Sequence, residues 1–263
     1  MKKYTILLIA LILLILPLAA CEQVSNLVPK ALASDTQEIV EEVQADSDDV
    51  FSEIQRNIDL VTNLKSKVEQ ARIDGQPISL DETIKDLQTV THSYEKLSGQ
   101  HEAIRKGLLN KIADIGNMQN RVDEEITTLK QRRADYVSQL RAVNDPNPDI
   151  VESRKTALTQ AIEYIDMQIQ LWEAFNDIED DIVLELDNVQ KVTDSFLSVI
   201  DSSAILFREG LNLLVLQRDI NEALSLFTRD LPRMEQLTTD MQKSWSNLDY
   251  LVENLTSVSV SIK

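Results

Sequence analysis

Apolar residues recur with alternating spacings of three and four along most of the chain. In the first such stretch, positions 40, 43, 47, 50, 54, 57, 61, 64, 68 and 71 read Val, Val, Ser, Val, Ile, Asn, Val, Leu, Val and Ala, apolar at eight of ten. That spacing is the seam of a coiled-coil-like amphipathic helix, predicted over residues 35–72. Ile73-Asp74-Gly75-Gln76-Pro77 ends it with Gly and Pro as breakers. Ser79-Leu80-Asp81-Glu82 then has capping-box spacing and opens a second helix over residues 80–143. Its seam includes Ile84, Leu87, Tyr94, Leu108, Ile115, Val122, Ile126 and Leu129. The seam weakens between Thr91 and Arg105, where Ser98, His101 and Arg105 take core-like places. Gly99 and Gly107 flank that stretch, so a kink or register shift is expected there.

Asn144-Asp145-Pro146-Asn147-Pro148-Asp149 is the clearest turn. A third helix follows over residues 149–209 on Val151, Leu158, Ile165, Trp172, Phe175, Ile182, Leu186, Val189, Phe196, Ile200 and Phe207, with Gly210 as its expected kink. Further helices are predicted over 211–230, on Leu213, Leu216, Ile220, Ala223 and Phe227, and over 232–262, on Met234, Leu237, Met241, Leu248, Leu251 and Leu255. The one alternating stretch, 257–262, reads as the end of the last helix. Residues 22–34 carry Pro29 and little periodicity and read as a tether. The predicted fold class is all-α, an elongated antiparallel bundle of three or four helices.

Charge adds a pairing. No base occurs between Lys155 and Lys191, but nine acids do, among them Glu163, Asp166, Glu173, Asp177, Asp180 and Asp181. The second helix carries ten acids and ten bases. Folding the chain back at Pro146 sets Lys111 level with Asp181, Arg105 and Lys106 near Glu185 and Asp187, Arg121 near Glu173, and Lys130 near Glu163. Opposite charges beside a seam select helix partners and orientation, so helices two and three are expected to form an antiparallel hairpin. The basic run Lys130-Gln131-Arg132-Arg133 is expected to balance acids of the neighbouring helix.

The first twenty-one residues read differently. Lys2 and Lys3 are followed by an apolar run over residues 4–16, then Pro17, Leu18, Ala19, Ala20 and Cys21. A basic start, an apolar stretch and small residues before a cleavage point describe a secretory signal. The run is short for a membrane span, which needs about 20 residues. Leu18-Ala19-Ala20-Cys21 resembles the lipobox of bacterial lipoprotein signal peptides. The resemblance implies that residues 1–20 are removed and that Cys21, the only cysteine, carries the acyl chains that hold the protein on the membrane. The protein is then extracytoplasmic and lipid-anchored. Glu22, rather than Asp, after the cysteine favours the outer membrane if the source has two.

The formal charge is −18, from 26 bases and 44 acids. Removal of Lys2 and Lys3 with the signal leaves 24 bases and a charge of −20. Such a surface repels nucleic acid and anionic lipid or wall polymers. A basic protein is the better electrostatic match for the acids between 163 and 187, and self-association through unfilled seams is the other expected partnership.

No phosphate-cradling, nucleophile-elbow or HExxH pattern is present, and one cysteine leaves no multi-Cys zinc site. His92 with Glu95 offers two ligands on one face, which do not make a metal site. Asp46-Ser47-Asp48-Asp49 opens like a calcium loop but has Phe51 and Asn57 where Gly and Glu are needed. Asp145, Asn147 and Asp149 offer alternate oxygens, but the intervening prolines limit their convergence. No catalytic residue, metal site or cofactor is expected. The leading expectation is a non-enzymatic lipoprotein acting as scaffold, spacer or docking surface. The alternatives are a cell-wall-associated lipoprotein, or a membrane-active component similar in architecture to long helical-bundle toxins.

Overall fold

The computed structural model describes residues 28–261, with side chains described throughout except at 28–29 and 46–49. The lipobox with Cys21, the first part of the tether, Ile262 and the side chains of the calcium-like Asp46-Ser47-Asp48-Asp49 lie outside the described residues. The chain is an all-α bundle of four long helices packed on one another, with no strand among the described residues. The helices are α1 (Val28–Asp74), α2 (Leu80–Ala142), α3 (Pro148–Asn212), α4 (Ile220–Thr228) and α5 (Leu231–Ser261), with a π-helical turn at Leu213–Gln217 between α3 and α4.

The helix ends follow local chemistry. α1 begins at Val28, so the last residues of the expected tether are helical. Pro29 falls in the first turn, where its missing N–H has no intrahelical partner to lose, and Leu32 and Ala33 are buried. Ser79 Oγ accepts from the Glu82 amide at 3.4 Å, which is one half of the expected capping box. Asn147 caps α3 by accepting the Asp149 amide at 3.0 Å, and Asp145 accepts that of Asn147 at 2.9 Å. Pro148 takes the first helical position, which it favours. α4 starts on Asp219, whose carboxylate accepts the Asn221 and Glu222 amides.

The expected kinks are not breaks. α2 is helical straight through Gly99 and Gly107, and α3 through Gly210 to Asn212. The interruption comes three residues later, where the π-turn ends on Arg218 in the left-handed region (φ 55°). A π-turn inserts residues into the helical phase. Leu214 therefore points inward at 0% exposure, while Leu216, expected in the seam, is 79% exposed.

Contacts divide the described chain into two compact units. The first comprises residues 28–39, 114–183 and 249–261. It buries Ile115, Val122, Ile126 and Leu129 of α2 with Ile165, Trp172, Phe175 and Ile182 of α3. Trp172 and Phe175 meet edge-on at 5.7 Å. The second unit, Val40–Ala113 with Leu184–Leu248, has one core that includes Ile54, Val61, Leu87, Tyr94, Phe196, Ile200, Leu214 and Phe227. Phe207 stacks on Phe227 at 4.3 Å and Tyr94 tilts against Phe207 at 4.8 Å. Tyr94 Oη donates to Met234 Sδ at 3.0 Å. Burial first, and then the nearby Asp230 carboxylate, raises the phenol's pKa above its ordinary value.

In the second unit α1 runs antiparallel to α2, with Lys96 near Glu53 (3.6 Å) and Lys111 near Glu42 (3.3 Å). The polar seam residue Asn57 donates to Ser93 Oγ at 2.7 Å, and Ser93 donates to Glu53 at 2.7 Å. α2 and α3 are antiparallel in both units. In the second, Ser98 Oγ and His101 Nδ1 meet the two oxygens of Asp201 at 2.6 and 2.8 Å, and Arg105 pairs with Asp194 at 3.4 Å. The weak stretch of the α2 seam is thus a polar seam answered by α3 acids.

The axial register of that hairpin differs from the expected one. Arg105 meets Asp194, not Glu185 or Asp187; Lys130 meets Glu173, not Glu163; and Lys111 turns to Glu42 of α1, not to Asp181. Partners on α3 lie roughly two to three turns farther along than a level-by-level count places them. Helical side chains lean toward their own N-terminus. In an antiparallel pair the two leans add, so long side chains meet partners later in sequence than the residues directly opposite.

Candidate functional site

The acids of α3 fall into two rows set by heptad spacing. Asp166, Glu173 and Asp180 follow the seam places of Ile165, Trp172 and Glu179 directly, and all three are engaged by α2. Arg133 makes a two-pronged pair with Asp166, Lys130 Nζ lies 2.8 Å from Glu173, and Gln119 donates to Asp180 at 2.6 Å. Two cations of the Lys130-Gln131-Arg132-Arg133 run therefore balance the neighbouring helix. Glu163, Asp177 and Asp181 form the second row. They are exposed, and no cation pairs with them among the described residues. Met167, 49% exposed, lies in the same outward stripe. The six acids singled out by composition are thus two groups, one structural and one facing solvent.

A seventh acid takes neither place. Glu179 is fully buried, at 0% exposure, on the seam between Phe175 and Ile182. Thr36 Oγ1 of α1, itself fully buried, donates to Glu179 Oε1 at 3.1 Å and lies 3.4 Å from Met118 Sδ. Glu179 Oε2 is buried without a hydrogen-bond partner. Burial pushes the carboxyl up from 4.5 to about 7. The Thr36 hydrogen bond and the Arg121 charge oppose that rise, and Asp180 adds to it. Residue type alone groups Glu179 with the other acids between 163 and 187. The signal that marks it is its seam position, three before Ile182 and four after Phe175.

The other candidate ligand groups are otherwise engaged. Glu95, the proposed neighbour of His92, is bound by Arg208. His101 is held by Asp201. The oxygens of Asp145 and Asn147 cap backbone amides. Among the described residues no three His, Cys, Asp or Glu side chains are grouped to hold a metal ion, and no helix is long and apolar enough to cross a membrane.

No protein-family model matches the chain, and neither a curated protein nor a solved structure shows significant similarity to it.

Proposed function

We propose that this chain is an extracytoplasmic bacterial lipoprotein, anchored through acyl chains on Cys21, whose helical bundle is a non-catalytic docking surface for a basic protein partner. The single observation that carries the docking assignment is the outer row of α3. Glu163, Asp177 and Asp181 stay exposed while Lys130 and Arg133 of α2 are engaged by Glu173 and Asp166 of the inner row. Carboxylates without cation partners add nothing to the bundle's own stability, but they steer and orient an oppositely charged surface. Exposed Met167 supplies an apolar contact within the row. The lipobox resemblance supports the anchor, and a membrane address makes a tethered docking role more economical than a freely diffusing one.

A photo-crosslinking residue at Gln170, between Glu163 and Asp177 on the outward stripe, tests this in cells. One predominant partner is expected, with the crosslink on a basic segment. The combined Glu163→Lys, Asp177→Lys and Asp181→Lys variant should lower its yield at least about tenfold, equivalent to about 1.4 kcal/mol, with the thermal unfolding midpoint little changed. Crosslinking that is indifferent to the charge reversal would contradict the assignment.

A further inference from the structure

The second unit holds a cavity of about 390 Å³ that the docking reading does not use. Its apolar lining includes Val43 of α1 and Leu97, Ile104 and Leu108 of α2. Ala103 and Gly107 of α2, four residues apart and so on one face, line the space with small residues that leave it open. A Cβ added at Gly107 would meet nothing within 4 Å.

Two polar features give the cavity a chemistry. Thr193 of α3 lines it, is only 7% exposed, and has a hydroxyl with no hydrogen-bond partner. Elsewhere Thr91, Thr128, Thr228 and Thr256 donate to the carbonyl four residues back. Thr193 has the same helical setting without that bond. An unmet buried hydroxyl is costly, and so calls for a partner from outside the chain. At the rim, Lys96 Nζ lies 3.6 Å from Glu53, but the same carboxylate also accepts from Ser93 and faces Arg56 at 3.9 Å. Among the described side chains Glu53 is thus shared by two cations, Lys96 and Arg56.

We infer that this cavity is a binding site for an amphipathic monocarboxylate, with its apolar body on Val43, Leu97, Ile104 and Leu108 and its oxygens offered to Thr193 and Lys96. The volume falls within the range of small-molecule sites, in which a mostly apolar lining carries a few placed polar groups. The site lies on other residues than the acidic row of α3 and stands or falls separately from it.

Ligand-observed NMR on the full-length protein in lipid nanodiscs, with protein-free nanodiscs as baseline, tests the site using 4-phenylbutanoate. Saturable binding above baseline is expected, with 4-phenylbutan-1-ol at least about tenfold weaker because it lacks the charge. Gly107→Leu should abolish binding while the thermal midpoint is unchanged or raised, since the side chain enters open space and leucine favours a helix. Lys96→Met should weaken binding about tenfold and Thr193→Val severalfold. Binding that does not saturate above the baseline, equal binding of the alcohol, or undiminished binding to Gly107→Leu would each overturn the assignment.

Discussion

Glu179 carries a carboxyl into a seam otherwise built from Phe175, Ile182 and Leu186, and its ionisation is coupled to folding. The folded chain holds the proton up to about pH 7, against an ordinary value of 4.5. The neutral acid is therefore tolerated at low pH, and ionisation of the buried group opposes folding progressively between about pH 4.5 and 7. Above that range the cost approaches about 3 kcal/mol. Glu179→Gln keeps an acceptor for Thr36 and removes the charge. Its stability gain over the wild type, from urea unfolding, should be about 2–3 kcal/mol larger at pH 8 than at pH 5. An equal difference at both pH values would show that the carboxyl is not the titrating group. The residue was legible as an acid but not as a buried one. Polar type suggested the surface, and only its place in the three-four spacing pointed inward. Thr36 and Thr193 occupy seam places of the same kind.

At the scale of elements, the long helices and most of their buried faces were readable because periodicity is a property of each segment alone. Leu87, Ile115, Val122, Trp172, Phe196 and Leu248 are buried where the spacing placed them. Phase and register were not readable in this way. Leu216 and Leu214 exchange roles because the π-turn shifts the helical phase, and no residue type announces such a turn. The ion pairs of the hairpin are not readable level by level, because charge counts constrain which helices pair while the lean of helical side chains decides which residues meet. Gly210 shows the same limit. Its place near the end of α3 predicts a kink, yet its role is close approach. A Cβ there would lie 2.9 Å from Phe227 Cε2 and 3.3 Å from the Ala223 carbonyl oxygen. Phe227 is fully buried and stacked on Phe207, so it has little room to yield. Gly210→Ala should therefore destabilise the protein by about 1–3 kcal/mol, despite alanine's better helix propensity. Gly107→Ala, in open space, should gain up to about 1 kcal/mol. Thermal unfolding of the two variants side by side checks the contrast, and a stabilised Gly210→Ala would refute the close-approach role.

For the whole molecule, the all-α fold, the strong negative charge and the lipobox act together. If residues 1–20 are removed as proposed, the remaining chain carries a formal charge of −20, which favours solubility and disfavours anionic surfaces. It leaves basic proteins as the partners that the outer row of α3 can attract. The location of the chain rests on residues 1–21 alone, because periodic helices with polar outer faces suit many compartments equally. The docking reading also rests on that location, since it decides which partners are within reach. The most direct measurement is the mass of the N-terminal peptide of the protein purified from its native membranes. The account predicts a chain that starts at Cys21 and carries a diacylglyceryl group on its sulfur, with Cys21→Ser yielding no acylated form. An N-terminus at Met1, or a start elsewhere with an unmodified cysteine, would contradict it.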